Sequence, residues 1–422
     1  MRLRPTRRGW GLLVAGVVLL QVGIGLGAVD LVRFATLLLV LVVGAGVVLA
    51  LTSRRRDQLE VVRSSAPNPV HAGEQANVEV TISALSMSGR LQLAGLKFAE
   101  QAATELSGGR PLRARVTRGQ RAVTVAYQVQ PGRRGRWPLG PLVVTRSDPF
   151  GVARTTATLG TSAEVAVWPA VVPLPTPSDV LVGEPDRVAL GARTPSTDDS
   201  QLRDYREGDD LRRVHWTSSA RRGTLMVRSD ERAGMRPVSV LLDLPVRASS
   251  LEWTISLAAS MALAMLDGGH PVRLVGGAPA HDVPDSPDAG PYPLAFVHNR
   301  LGPTARAAIL DRTIDLEGPR SGAEGEAELV AGAHLLETTQ AGGEIVLAVV
   351  GPLGAQARAS LAHIADDAQA WAVVRADGPS PAHEREAEHT INALRRAGWR
   401  ACGVTPGEPI VDCWLRLLGS AR

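Results

Sequence analysis

Lysine is nearly absent from this chain, since Lys97 is the only one in 422 residues. A phosphate-binding loop of the form G-x-x-x-x-G-K-[ST] needs a lysine directly after its second glycine, and Lys97 has no such frame. Cysteine is almost as scarce. Cys402 and Cys413 stand near the C-terminus with no second pair and no C-x-x-C spacing. That speaks against a disulfide framework or a structural zinc site, and it suits a reducing compartment. Aromatic residues make up only 4% of the chain, which leaves few rings for stacking on bases.

The formal net charge is +4 and the pI about 9.6, so the location of the excess positive charge matters. Residues 1–66 hold nine arginines against three acids, an excess of six, and the other 356 residues therefore sum to −2. The basic excess belongs to the N-terminal segment. The bulk of the protein has no polyanion-binding bias, and a nucleic-acid partner is not expected.

Gly11 to Val29 is a run of 19 uncharged residues and Phe34 to Ser53 a second of 20. Each matches the length a helix needs to cross the hydrocarbon core of a bilayer. Asp30 to Arg33 separate the two, which predicts a tight antiparallel hairpin anchor over residues 1–56. Gly23-x-x-x-Gly27 and Gly44-Ala-Gly46 offer small residues for close packing of the two helices. Arg2, Arg4, Arg7 and Arg8 precede the first run and Arg54, Arg55 and Arg56 follow the second. By the positive-inside rule both ends, and with them the large C-terminal body, face the cytoplasm as a multi-pass membrane protein. A cleaved signal peptide is the competing reading of the first run. Its apolar stretch exceeds the usual length of such a region, and no A-x-A site precedes a polar start.

Residues 57–175 carry short alternating runs broken by Gly, Pro and Ser. Examples are "ANVEVTISA" at Ala76–Ala84, "AVTVAYQVQ" at Ala122–Gln130 and "SAEVAVWP" at Ser162–Pro169. Period-two alternation at this spacing predicts antiparallel strands with one buried face, hence an all-β sandwich. "HAGEQ" at His71–Gln75 is similar to the turn that opens an Ig-like strand pair. Residues 176–234 form a linker, and beyond it the period changes. "RPVSVLLD" (Arg236–Asp243) reads as a buried strand, and Ser249–Leu266 as a helix opened by a Ser249-x-x-Glu252 capping box. Further strands follow at His270–Gly276, Gly343–Gly351, Trp371–Asp377 and Arg400–Pro406, with helices about Ala355–Gln369 and Glu384–Ala397. Gly277–Pro303 reads as a long loop. Strand and helix in turn over residues 235–422 predict a doubly wound α/β domain with a mostly parallel sheet.

Catalytic motifs are few. "HEREAEH" at His383–His389 resembles H-E-x-x-H, but its second His is six residues on, which turns it about 120° from the first on a helix. No G-x-S-x-G elbow occurs anywhere in the chain. The densest constellation is the linker stretch "QLRDYREGDDLRRVHWTSSARRGTLMVR", Gln201 to Arg228. Asp209, His215 and Ser218 or Ser219 supply the residue types of an acid–His–nucleophile set, although such sets meet in space and not along the chain. Between Gln201 and Glu231 seven arginines face six acids, a balance that favours internal ion pairing over a phosphate track. Gly208 supplies a turn, and Arg213 to Trp216 then alternates as a strand would, with Val214 and Trp216 on one face. The stretch reads as a joint in which Trp216 packs on one domain while Arg203, Arg212 and Arg221 reach carboxylates and carbonyls of the next.

This stretch resembles the signature of the domain-of-unknown-function family 58. The match runs through Leu202, Arg203, Tyr205, Gly208, Asp209, Arg212, His215, Trp216, Ser219, Ala220, Arg221, Gly223, Leu225 and Val227. Upstream, Arg133–Gly151 and Val167–Leu174 are similar to the family's approach to that signature. The resemblance implies two membrane spans, a β-rich domain, the signature, and a domain resembling von Willebrand factor A. It also implies an association with MoxR-type AAA+ ATPases. In von Willebrand factor A domains D-x-S-x-S at the end of the first strand holds a divalent metal through hard oxygen ligands. Here Asp243 is followed by Leu244, Pro245, Val246 and Arg247, so Pro245 and Arg247 occupy the two serine positions. The position is degenerate: no metal or other cofactor is expected, and Asp243 is left to pair with Arg247 or to cap the next helix.

The sequence thus points to a membrane-anchored, non-enzymatic accessory or scaffold protein that binds protein partners, an AAA+ ATPase among the candidates. A membrane-bound hydrolase using His215 and Asp209 is the alternative, and a cell-envelope binding module is the reading if the topology is inverted. A reporter fused after Arg422 is expected to be active only in the cytoplasm. Activity outside the membrane would overturn the predicted orientation.

Overall fold

The computed structural model describes residues 2–52, 59–86, 93, 96–108, 112–176, 202–204, 219, 223–228, 236–277, 296–298, 302–339, 343–376, 378 and 380–420. They form two compact units, 1–170 and 171–422.

The first unit opens with a short strand, β1 (Arg2–Pro5), followed by two long helices, α1 (Arg7–Gly25) and α2 (Val29–Thr52). Both helices are long and apolar enough to cross a membrane. The turn between them lies earlier than the charged residues suggest. It falls at Leu26 to Ala28, where Gly27 takes a left-handed φ of +64°, and Asp30 and Arg33 sit within the first turns of α2. Gly27 decides this, because a residue without a Cβ adopts positive φ at little cost and so closes the helix.

The buried residues of α1 are Gly9, Gly16 and Gly23, spaced by seven. A Cβ on Gly16 would lie 2.8 Å from a methyl group of Leu39, and one on Gly23 3.0 Å from Val32. The close packing therefore uses Gly16 and Gly23. Gly44 and Gly46 have open space at their Cβ positions, and Gly27 forms the turn.

After the hairpin the unit continues through β2 (Leu59–Ala66), β3 (Val70–His71), β4 (Ala76–Ala84), β5 (Leu96–Ala102), α3 (Thr104–Ser107), β6 (Arg115–Arg118), β7 (Ala122–Val129), β8 (Gly135–Ser147), β9 (Ala153–Leu159) and β10 (Ala163–Trp168). One sheet runs β2–β4–β7–β6. The other runs β1–β9–β8–β10–β3, with β5 also pairing β8. Alternation explains their packing: Ala76, Val78, Val80 and Ile82 of β4 are buried while Asn77 and Glu79 are exposed. These inward residues share one apolar cluster with Leu142 of β8 and Val165 of β10, so the two sheets enclose a common core. Arg63 of β2 also reaches across, its Nε donating to Glu100 of β5 at 2.7 Å, with both side chains 7% exposed. Burial, with the charge of Glu100 adding to it, pushes the Tyr127 hydroxyl well above the usual phenol range.

The hairpin is fastened to this unit at its N-terminal end. β1 pairs antiparallel with β9 from Arg2↔Thr156 to Pro5↔Ala153. Thr6 then caps α1, its Oγ1 accepting from Gly9 N at 3.1 Å and donating to the Gly151 carbonyl at 2.6 Å. α2 packs against β9 and β1 as well.

In the second unit, β11 (Leu202–Asp204) pairs antiparallel with β12 (Met226–Arg228). The α/β body follows: β13 (Val238–Leu242), α4 (Ala248–Asp267), β14 (Val272–Val275), α5 (Pro303–Ile314), α6 (Gly322–Thr339), β15 (Ile345–Val350), α7 (Ala355–Asp367), β16 (Gln369–Arg375), α8 (Pro381–Arg396), β17 (Arg400–Val404) and α9 (Ile410–Gly419). The sheet order is β14–β13–β15–β16–β17, parallel throughout. β13 and β15 are buried at every position, as strands covered on both faces must be. Val346, Ala348 and Val350 point to α6, α7 and α8, packing with Leu329, Leu361 and Leu394. α4 contributes nothing to that cluster and packs on β13, β14 and β15 from the other side. It is apolar enough for a membrane span, yet 78% of that apolar stretch is buried inside the unit. The opening residues of this unit are tied to its helices: Val172 N donates to Ser260 Oγ at 3.1 Å, and Trp414 Nε1 donates to the Pro175 carbonyl at 2.9 Å.

Three sequence expectations change here. The helix after β13 starts one residue earlier than Ser249, its N-cap is Arg247, and no side chain caps it, so the Ser249-x-x-Glu252 box does not form. Helices α5 and α6 stand where the sequence period announces no element. Within the expected loop, Val297 bridges to Val272.

Gly9 gives the sharpest packing test. A Cβ there would fall 2.0 Å from the Val152 carbonyl oxygen, a backbone atom that cannot turn aside, whereas Gly11 has nothing within 4 Å. Gly9→Val is expected to destabilise the first unit by roughly 1–3 kcal/mol. Gly11→Val should leave the thermal midpoint unchanged, and equal midpoints for both would refute the contact.

Candidate functional site

In open α/β sheets ligands bind beyond the carboxyl ends of the strands, where the strand order reverses. In this sheet the first strand of the body, β13, lies between β14 and β15, and the crevice opens between the ends of β13 and β15. Asp243 follows β13 and Gly351 follows β15. The two are joined directly, with Gly351 N donating to Asp243 Oδ2 at 2.7 Å and Asp243 N donating to the Val349 carbonyl at 2.9 Å.

The same carboxylate is matched by a guanidinium. Arg375, the last residue of β16, donates from Nη2 to Asp243 Oδ2 at 2.9 Å and from Nη1 to the Asp243 carbonyl at 2.6 Å. Its side chain is 2% exposed and that of Asp243 13%. A desolvated arginine must find an acceptor set of this kind, and its planar fork suits two oxygens held on one residue. The Asp243 carboxylate is thus held by Arg375. Arg247, the expected partner, lies elsewhere, beside Gly378, where a Cβ would come within 2.6 Å of both Arg247 Nη1 and His383 Nδ1.

His383 Nδ1 in turn lies 2.8 Å from Ser380 Oγ. Ser380 is the N-cap of α8 and His383 stands in its first turn, so this contact is local to the helix start. His389, the other histidine of "HEREAEH", lines an open cleft of about 510 Å³ with Pro352, Leu353, Arg358, Arg385 and Glu386. Both cleft arginines are engaged locally, Arg358 with the Leu353 carbonyl and Arg385 with that of Pro381. Among the described residues no group of three His, Cys, Asp or Glu side chains could hold a metal ion.

A second buried pair lies near the starts of the strands. Arg273 of β14 donates to both carboxylate oxygens of Glu344 at 3.1 and 3.3 Å, to Ser239 Oγ at 2.5 Å and to Thr339 Oγ1 at 2.9 Å. Ser239 also bonds Glu344. The guanidinium stacks over Phe296, 4.5 Å from the ring centroid. The network has its donors and acceptors matched internally, which suits a structural clamp. Both cysteines are buried. Burial pushes the Cys402 thiol up to about 12 and the Cys413 thiol up to about 11, the opposite of what a nucleophile needs.

Of the residues singled out in the linker stretch, Tyr205, Gly208, Asp209, Arg212, His215, Trp216 and Arg221 lie outside the described residues, as does the strand expected at Arg213–Trp216. The backbone of Arg203 lies in β11, in register with Val227. Ser219 is buried, and its carbonyl accepts from Gly223 N at 2.9 Å, with Gly223 at φ +70°.

Residues 201–278 match the family described as "Protein of unknown function DUF58". The chain thus carries a DUF58 segment. The matched segment spans β11 to β14 and includes Asp243, while Arg375 lies beyond it. No curated protein matches the chain. Among solved structures, it is similar to a point mutant of the PilB minor pilin from Streptococcus sanguinis at 12% identity and a TM-score of 0.29, covering 86% of each chain. The PilB minor pilin from Streptococcus sanguinis is similar at 10% identity and a TM-score of 0.30, covering 73% of this chain and 82% of that one. Likeness at this level carries no argument about the fold.

Arg375→Met leaves the Asp243 carboxylate with a single amide donor in a largely dry site. Chemical denaturation is expected to show a loss of roughly 3–5 kcal/mol. Pairing it with Asp243→Asn should recover part of that loss, and strict additivity of the two changes would refute the pair.

Proposed function

We propose that this protein is a membrane-anchored, non-enzymatic scaffold that binds protein partners at the cytoplasmic face. The observation that carries the reading is the state of the sheet crevice. Its carboxylate, Asp243, is matched by Arg375 and Gly351, so the position where such folds present a ligand is closed by the protein's own groups. The α/β body is then a von Willebrand factor A-like domain adapted to contact proteins without a metal. The two-sheet region is an Ig-like β-sandwich.

The charges and the pairing of β1 support this orientation. Residues 2–5 are paired to β9, so the chain enters α1 and leaves α2 on the same side as the two-sheet region. Two crossings satisfy that constraint, and the flanking arginines favour the cytoplasm for both ends. A MoxR-type AAA+ ATPase is the partner that the family resemblance suggests, with the linker signature as the segment that would bind it.

Affinity capture of the detergent-solubilised protein tests this. The wild type is expected to retain a MoxR-type ATPase, and Asp209→Ala and Arg212→Ala to lose most of it or to become protease-sensitive between the units. Wild-type capture and protease resistance in both variants would refute the role of the signature. An enzymatic activity abolished by His215→Ala in a folded protein would favour a hydrolase instead.

A further inference from the structure

We propose that the turn between β8 and β9 dips into the membrane, with Phe150 seated in an anionic lipid headgroup layer beside the start of α1. The inference rests on the reading of α1 and α2 as membrane spans. Arg8 is the last charge before the uncharged run begins at Gly9, so the edge of the hydrocarbon core falls close to that residue. Gly9 is buried against Val152, close enough that any Cβ would strike the Val152 carbonyl. Val152 therefore lies at the depth of the boundary, and Phe150 is two residues away from it.

The turn is held rigidly. Asp148, 6% exposed, accepts from Phe150 N at 2.8 Å and from Ala153 N at 2.5 Å. Gly151 N donates back to the Asp148 carbonyl at 3.1 Å, and Gly151 takes the positive φ of +68° that the turn requires. Phe150 is thereby presented outward, 60% exposed. An isolated exposed phenylalanine is ordinary on a soluble surface. This one is fixed one residue from the hydroxyl contact between Thr6 and Gly151, and Trp10 of α1 is similarly exposed near the same boundary. Tryptophan collects at that level of a bilayer, and phenylalanine of interfacial segments buries at the headgroup–acyl boundary.

The charges give an independent argument for an anionic layer. Arg4 of β1 stands directly opposite Arg154 of β9, and both are exposed. Like charges facing each other across an antiparallel pair repel, so the register is favourable where anions lie against it. Arg7 and Arg8 follow in the first turn of α1. Phosphates of anionic lipids, at the depth set by Gly9, are the anions the bilayer supplies there.

Bimane-labelled single-cysteine variants of the full-length protein, made in a Cys402→Ala, Cys413→Ala background, test the proposal. They are placed at Phe150, at Val18 in the middle of α1 and at Val116 on the exposed β6, in bilayers of phosphatidylcholine and phosphatidylglycerol. The Val18 probe is expected to lose most of its emission to lipids brominated near their chain ends. The Phe150 probe should lose most of its emission to lipids brominated near the glycerol and little to aqueous iodide, whereas iodide should quench the Val116 probe. If the Val18 probe behaves as expected and the Phe150 probe is quenched by iodide as the Val116 probe is, the proposal is overturned alone. A Val18 probe untouched by brominated lipid would remove the anchor reading and the proposal with it.

Discussion

The second unit depends on the ion pair between Asp243 and Arg375. Each group alone would be untenable where it stands, a guanidinium ending a buried strand and a carboxylate at the mouth of a parallel sheet. Together, and with the Gly351 amide, they tie the ends of β13, β15 and β16 into one edge. A carboxylate that already has its cation has little reason to recruit another.

The Arg273–Glu344 pair repeats this logic near the strand starts, and Arg63–Glu100 repeats it between the sheets of the first unit. In each case an arginine reaches an acid on, or directly beside, a different strand, so the pair records a long-range choice of neighbours. Such pairs are poor sources of net stability but costly to break, because either partner left alone is a buried charge.

Much of the architecture was legible from period alone. The alternation in Ala76–Ala84 and the continuous apolar runs of β13 and β15 led directly to an antiparallel region followed by a parallel one. Helix α6 was not legible, because Gly325 and Gly332 occupy positions on its buried face where a larger side chain would ordinarily mark the stripe. Pro319 and Leu241 approach to within 3.1 Å of where their Cβ atoms would be, so the glycines are there to admit neighbours that only the folded structure supplies. The partner of Asp243 escaped for a similar reason. Arg375 is 132 residues away, and its one local signal was a charge ending the apolar run "WAVV". The linker signature carried the DUF58 resemblance by residue identity, which period and spacing could not have done.

The pairing of β1 with β9 makes the first unit a closed mechanical loop. The chain leaves the two-sheet body through β1, passes through both helices, and returns to the same body at β2. A tether with one attachment would let the body swivel and would place the whole load of any pull on one helix. Here the load divides between two helices gripped from the same end, and torque on the body passes to the hairpin as a pair.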